Sequence, residues 1–177
     1  MCEIVEKLEH YVFLIGDEEL REGVKKYIEY KGEELFRSPA SRRHHHAYEG
    51  GLVNHIIQVC EIGRHIIQAF GLNVNLDYYL VSAILHDMGK VGKYRWDGEE
   101  KTWVHNTENM YSRIDDSYDA ILNFTRVTGV ILPKEIQLAI LSHMGGWSTT
   151  GVYPDTLLSA VLHSADLISS RLERGGK

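Results

Sequence analysis

Residues 51–70 constrain the fold more than any other stretch. Leu52, Ile56, Val59, Cys60, Gly63, Ile66, Ile67 and Phe70 recur at helical spacing, and Gly71 supplies a stop. A helix with so continuous an apolar stripe needs other helices to bury it. The rest of the chain offers them. Ile4, Val5 and Leu8 predict a short amphipathic helix over 1–10, while 11–15 is a brief apolar run with no assignment. Asp17 is placed to cap a helix through about Tyr30, with Leu20, Val24, Tyr27 and Ile28 inward; Pro39 then disfavours helix at Ser38. Leu80, Val81, Ile84, Leu85 and Met88 give a buried helix capped by Asp77. Tyr94 to Thr107 is polar, aromatic and aperiodic, a loop or lid with a short hairpin around Asp97-Gly98. Helices over 115–128, from Pro133 to Met144-Gly145-Gly146, and from Pro154 to about Leu172 complete an all-α expectation.

Composition sets the limits. The 177 residues are 44% hydrophobic and 25% charged, which suits one domain and leaves no room for two. A formal net charge of −6 gives no general basic footprint for duplex nucleic acid; the local candidate is Ser41-Arg42-Arg43-His44-His45-His46. Cys2 and Cys60 make no disulfide framework, and no stretch has the length of a membrane span or the pattern of a signal peptide. The expectation is a cytoplasmic protein.

Three helices carry residues with chemistry. His86 and Asp87 stand side by side near the end of a buried helix. Adjacent residues lie about 100° apart, so both can lean toward one point only if it lies between them. A divalent cation is such a point, and it offsets the cost of a carboxylate in an apolar setting. His55 lies on the inward side of the 51–70 helix, where the competing explanation is a core histidine bonded to a carbonyl. Asp166 sits in an apolar helix with little other charge, and a carboxylate there is paired or metal-bound. A salt bridge to Arg64, Arg171 or Lys90 is its alternative. His163, three residues earlier, can share its face. His55, His86, Asp87 and Asp166 together form a mixed nitrogen and oxygen set that suits Mn, Fe, Co, Ni, Zn or Mg with a position open for water. Metal-assisted hydrolysis of a phosphoester is the chemistry this set most naturally serves.

The ordered pattern of His55, His86-Asp87 and Asp166 resembles the HD superfamily of metal-dependent phosphohydrolases. The segments 45–55, 83–90 and 141–145 resemble, in order, those of the HD-domain 3′-to-5′ exoribonucleases. The resemblance covers roughly Pro39 to Arg171, leaving 1–38 as an N-terminal helical extension of a single HD-type domain. It implies an HD-domain helical bundle with the metal held between helices and Lys90 near the substrate phosphate, where a lysine stabilises developing charge. Two-metal members carry further histidines, one aligned with Arg113 and one with Met144. Their replacement favours a single divalent metal, with His105 the one loop residue that could substitute. His143 then becomes a phosphate contact or general acid rather than a ligand. His45, His46 and Arg113 are the expected substrate-phosphate contacts, and Tyr94, Trp96, Trp103 and Trp147 could stack a base.

The resulting expectation is a metal-dependent phosphohydrolase, with His55, His86, Asp87 and Asp166 as ligands and Lys90, His143 and Asp87 in the chemistry. Its substrate would be a nucleotide or other small phosphoester, with single-stranded RNA as a further class. The acidic charge and the absence of length for a separate nucleic-acid-binding domain favour the small substrate. Two rivals stand beside it. An HD-type di-iron oxygenase requires a second metal, and a non-catalytic nucleotide-binding signalling module has no need of an intact ligand quartet. An HD-GYP phosphodiesterase is disfavoured because no Gly-Tyr-Pro follows His86-Asp87.

Overall fold

The computed structural model describes residues 2–108, 115–147 and 150–172. Among these are seven α-helices: α1 (Cys2–Phe13), α2 (Glu18–Arg37), α3 (Gly51–Phe70), α4 (Leu76–Leu85), α5 (Asp116–Thr128), α6 (Lys134–Ser142) and α7 (Leu157–Leu172). Between α4 and α5 stands one antiparallel hairpin, β1 (Tyr94–Asp97) and β2 (Thr102–His105), with Trp96 opposite Trp103. The fold is helical, as the periodicity predicts.

The α3 helix is the hub. It buries Leu52, Val53, Ile56, Ile57, Val59 and Cys60, and packs on α7, α4, α1 and α2. The α4 helix is buried at every position from Tyr79 to Leu85, as expected for a helix that is apolar all round. Its placement in the core is what brings its C-terminal end inside the protein. The two helices meet where α3 has no side chain: Tyr79 lies against Gly63 and donates its hydroxyl to the Val59 carbonyl at 2.5 Å.

Local signals explain most boundaries. Asp17 accepts from the Leu20 amide at 3.0 Å, Gly71 and Gly129 close α3 and α5 in left-handed geometry, and Asp115 caps α5. Several boundaries differ from expectation, and α1 runs on to Phe13 through part of the unassigned 11–15 stretch. The helix read as ending near Tyr30 continues to Arg37 across a kink at Gly32 (φ 57°, ψ −149°). Asn75, not Asp77, caps α4; Asp77 instead accepts from the Gly16 and Asp17 amides, both at 2.9 Å, and ties down the α1–α2 turn. The last helix starts at Leu157 rather than Pro154, because Thr156 and Ser159 bond each other's amides in a reciprocal cap.

The Gly63–Tyr79 contact yields a test. A methyl group at position 63 would collide with the Tyr79 ring. Gly63→Ala is expected to cost about 1–3 kcal/mol by overpacking, read as a lower thermal midpoint by circular dichroism. An unchanged midpoint would show that the α3–α4 interface is looser than described.

Candidate metal centre

The centre forms where three buried helices converge. His55 comes from the second turn of α3, Asp166 from α7, and His86 and Asp87 from the C-terminal end of α4. His86 keeps helical geometry (φ −51°, ψ −36°), but Asp87 leaves it (φ −113°, ψ 7°) and enters a 3-10 turn over 88–90. That change lets two neighbours in sequence reach one point. His55 Nε2 stands 3.1 Å from Asp166 Oδ1 and 3.5 Å from Asp87 Oδ2. His86 Nε2 lies 3.2 Å from His55 Nε2 and 3.5 Å from Asp87 Oδ2.

Hydrogen bonds at the back of each ring fix what its front presents. His86 Nδ1 donates to the Ala83 carbonyl at 2.7 Å. His55 Nδ1 meets Ser169 Oγ at 2.9 Å, and that hydroxyl donates in turn to Gln58 Oε1 at 2.9 Å, so the serine accepts from the imidazole. In the neutral rings both Nε2 atoms therefore carry lone pairs aimed at one another. Such a contact is repulsive unless a proton or a cation lies between them. Burial pushes His86 down to about 4, which disfavours a proton on that ring. Asp87 Oδ1 is buried without a hydrogen-bond partner among the described residues; His143 Nε2 approaches only to 3.5 Å. Burial would raise both carboxyls, but the Lys90 ammonium holds Asp87 well below the usual range, and a proton on His55 Nε2 does the same for Asp166 when the site holds no cation. Inward lone pairs, an unsatisfied carboxylate oxygen and two ionised carboxylates fit a divalent cation. The negative ends of α4 and α6 favour positive charge at the same place.

The remaining expected residues fall around this group. Lys90 donates to Asp87 Oδ2 at 2.7 Å; burial opposes its charge, but Asp87 and Asp116 hold the ammonium protonated. His143 closes α6 as His86 closes α4, its Nδ1 donating to the Ile140 carbonyl at 2.7 Å. It joins His86 and Asp87 in a second group of ligand-type atoms. Burial works against its protonation, but Asp87 raises it above the ordinary value. His45 and His46 stand with their ring centroids 5.0 and 5.2 Å from that of His55. His46 is held in left-handed geometry (φ 47°), with its carbonyl accepting from the Ala40 amide and packed against Gly51. Arg113 lies outside the described residues. His105, at the end of β2, is exposed, lies tilted against the Tyr94 ring and belongs to none of the ligand groups among the described residues. No lysine or arginine pairs with Asp166 among the described residues, so the salt-bridge explanation of that carboxylate fails.

A cleft of about 600 Å³ opens onto the centre, lined in part by Lys90, His45, Asp166, Tyr94, Trp147 and His163. His163 received no role from the sequence beyond sharing a face with Asp166. Its Nδ1 donates to the His143 carbonyl at 2.6 Å, which locks the end of α6 onto α7 beside the site. Gly145 (φ 55°) packs against its ring. Ser169 was likewise missed: one turn after Asp166, it looks like any helical serine until its partner on α3 is known.

The sequence profile of the HD domain matches residues 52–171. The chain belongs to the HD domain family. Its matched relatives include a dihydroneopterin 2′,3′-cyclic phosphate phosphodiesterase of Methanocaldococcus jannaschii, 28% identical over 89% of this chain and 66% of the relative. They also include proteins named 3′-5′ exoribonuclease YhaM. That of Oceanobacillus iheyensis is 26% identical over 99% of this chain and 55% of the relative, and one from Listeria monocytogenes is 24% identical over 96% and 54%. This HD chain thus spans between about half and two thirds of the length of these relatives. No solved structure matches it. No helix among the described residues is long and apolar enough to cross a membrane.

The histidines give the metal-free protein separable pH windows. His86 and His45, pushed by burial to about 4 and about 3 from an ordinary 6.5, bind protons more readily when unfolded. They cost stability as pH falls below 6.5. His143, raised, stabilises fully below 6.5 and loses that contribution as pH climbs through its folded value. Thermal melts of chelator-treated protein should therefore show declining stability from pH 6.5 toward 4, and His86→Gln should flatten that limb by up to about 3 kcal/mol. An identical acid limb in the variant would contradict the assignment.

Proposed function

We propose that this protein is a metal-dependent phosphohydrolase that cleaves a phosphoester of a nucleotide or a short single strand. The observation that carries the reading is the meeting of His55, His86 and Asp166 at 3.1 to 3.2 Å, with Asp87 3.5 Å from both histidines, beside a cleft that Asp166, Lys90 and His45 line. The proposed cofactor is a single divalent ion held by these four residues, drawn from Mn, Fe, Co, Ni, Zn or Mg. When bound, such an ion acidifies water and withdraws charge from a phosphoryl oxygen.

The chain's own groups supply the rest. Asp87, shared between the ligand set and Lys90, orients the attacking water. Lys90 is held 2.7 Å from Asp87 and placed at the cleft wall, where its ammonium can pair with a non-bridging phosphoryl oxygen. Water adds to phosphorus and leaves its proton on a phosphoryl oxygen, the ester P–O bond breaks, and the departing oxygen takes a proton from a donor that solvent then recharges. His143 is the proposed donor, since Asp87 favours its protonated form and its Nδ1 is already committed to a carbonyl. His45 lines the cleft mouth and offers a phosphate contact, with His46 behind it; Arg113 is assigned the same role from the sequence pattern alone. The relatives named as a cyclic-phosphate phosphodiesterase and as exoribonucleases support phosphoester chemistry, and the net charge of −6 favours a small substrate over a long strand.

A panel of phosphomonoesters and phosphodiesters assayed with each divalent metal tests the reading. His86→Ala and Asp87→Ala should lose both bound metal and turnover while keeping helical content. Ser169→Ala should weaken metal affinity about tenfold to a hundredfold through the orientation of His55. Equal turnover in the wild type and the two ligand variants would reject the proposal. Two irons per chain would favour oxygenase chemistry, with His86, Asp87 and His143 as the obvious second ligand group.

A further inference from the structure

The hairpin carries more aromatic surface than its packing uses. Side chains alternate along a strand, so Tyr94 and Trp96 share one face of β1 with their cross-strand partners His105 and Trp103. The two tryptophan rings meet edge-on at 5.5 Å. Between this face and the end of α2 runs a groove of about 450 Å³, lined by Tyr94, Trp96, Trp103, Glu34, Glu49 and Arg37. Trp96 leaves 52% of its surface open. Tyr94 also lines the metal cleft, so one side chain is a wall of both spaces.

We propose that this groove is a base subsite for a guanine-type heterocycle, carried by a nucleotide whose phosphoester lies at the metal centre. The inference rests on the phosphohydrolase reading of that cleft and adds the identity of the group that is recognised. Exposed aromatic rings stack on any planar base; the polar groups at the rim narrow the choice. Ionised carboxylates only accept hydrogen bonds. Guanine presents a ring N–H and an amino group side by side on its Watson–Crick edge, a matched pair of donors for Glu34 or Glu49. Adenine sets an acceptor beside its amino group and would face a carboxylate with repulsion. Arg37 can serve the O6 and N7 acceptors of guanine. It is held by Glu33 at 2.8 Å in an exposed ion pair, which exchanges at little cost.

Calorimetric titration with guanosine tests the subsite without any phosphate, so a failure of the hydrolysis reading does not mask the result. Guanosine should bind saturably and about tenfold more tightly than adenosine, and Trp96→Ala should weaken it about tenfold while Trp96→Phe retains most of the affinity. Glu34→Gln combined with Glu49→Gln should abolish the preference for guanosine. Metal content and circular dichroism verify that each variant is folded. Absence of saturable binding, unchanged affinity in Trp96→Ala, or an intact preference in the double variant would each overturn the proposal. Guanosine 5′-monophosphate and a short oligoribonucleotide ending in guanosine, titrated in parallel, distinguish the source of the base. Tighter binding of the oligonucleotide indicates a strand end and equal binding a free nucleotide, and both results support the subsite.

Discussion

The structure depends on two histidines whose outer nitrogens are spoken for. His86 gives its Nδ1 proton to the helix that carries it, and His55 gives its own to Ser169 on another helix. Each ring is thereby fixed in tautomer and in orientation, and each presents a lone pair to the same buried point. Two such lone pairs 3.2 Å apart, with two carboxylates beside them, form an arrangement that costs folding energy in the absence of positive charge. A fold retains such an arrangement where a cation offsets that cost.

The surrounding helices make this geometry possible. The α4 helix is buried on all sides, so its C-terminal residues have nowhere to go except the interior. Gly63 allows Tyr79 of α4 to press against α3, setting the spacing of the two elements that supply His55 and His86. Gly89 plays a comparable part next to Asp87, where the backbone of Asp116 at the start of α5 leaves no room for a side chain. The ion pair of Lys93 with Asp116 secures that same start. Packing and chemistry are thus set by the same few contacts.

Much of this was legible in the sequence. The apolar stripe of 51–70 marks α3 at both ends, and polar residues in otherwise apolar helices mark His55, His86, Asp87 and Asp166 as candidates, whose side chains the structure brings near one another. What escaped notice depended on partners remote in the chain. Asp77 was read as a helix cap because it opens an apolar helix, yet its carboxylate serves amides sixty residues earlier. Ser169 and His163 carry no local mark, and their roles exist only once α7 lies against α3 and α6. His143 was separated from the ligands by its sequence context. The structure places its Nε2 3.5 Å from Asp87 Oδ1, where the charge of that carboxylate matters more than the residue at Met144.

The most direct measurement is anomalous diffraction from a crystal of this protein grown with manganese. A single strong peak enclosed by His55, His86, Asp87 and Asp166, with solvent on its cleft side, is the expected result. Manganese bound elsewhere, or those four side chains turned away from one another with no peak among them, would contradict it.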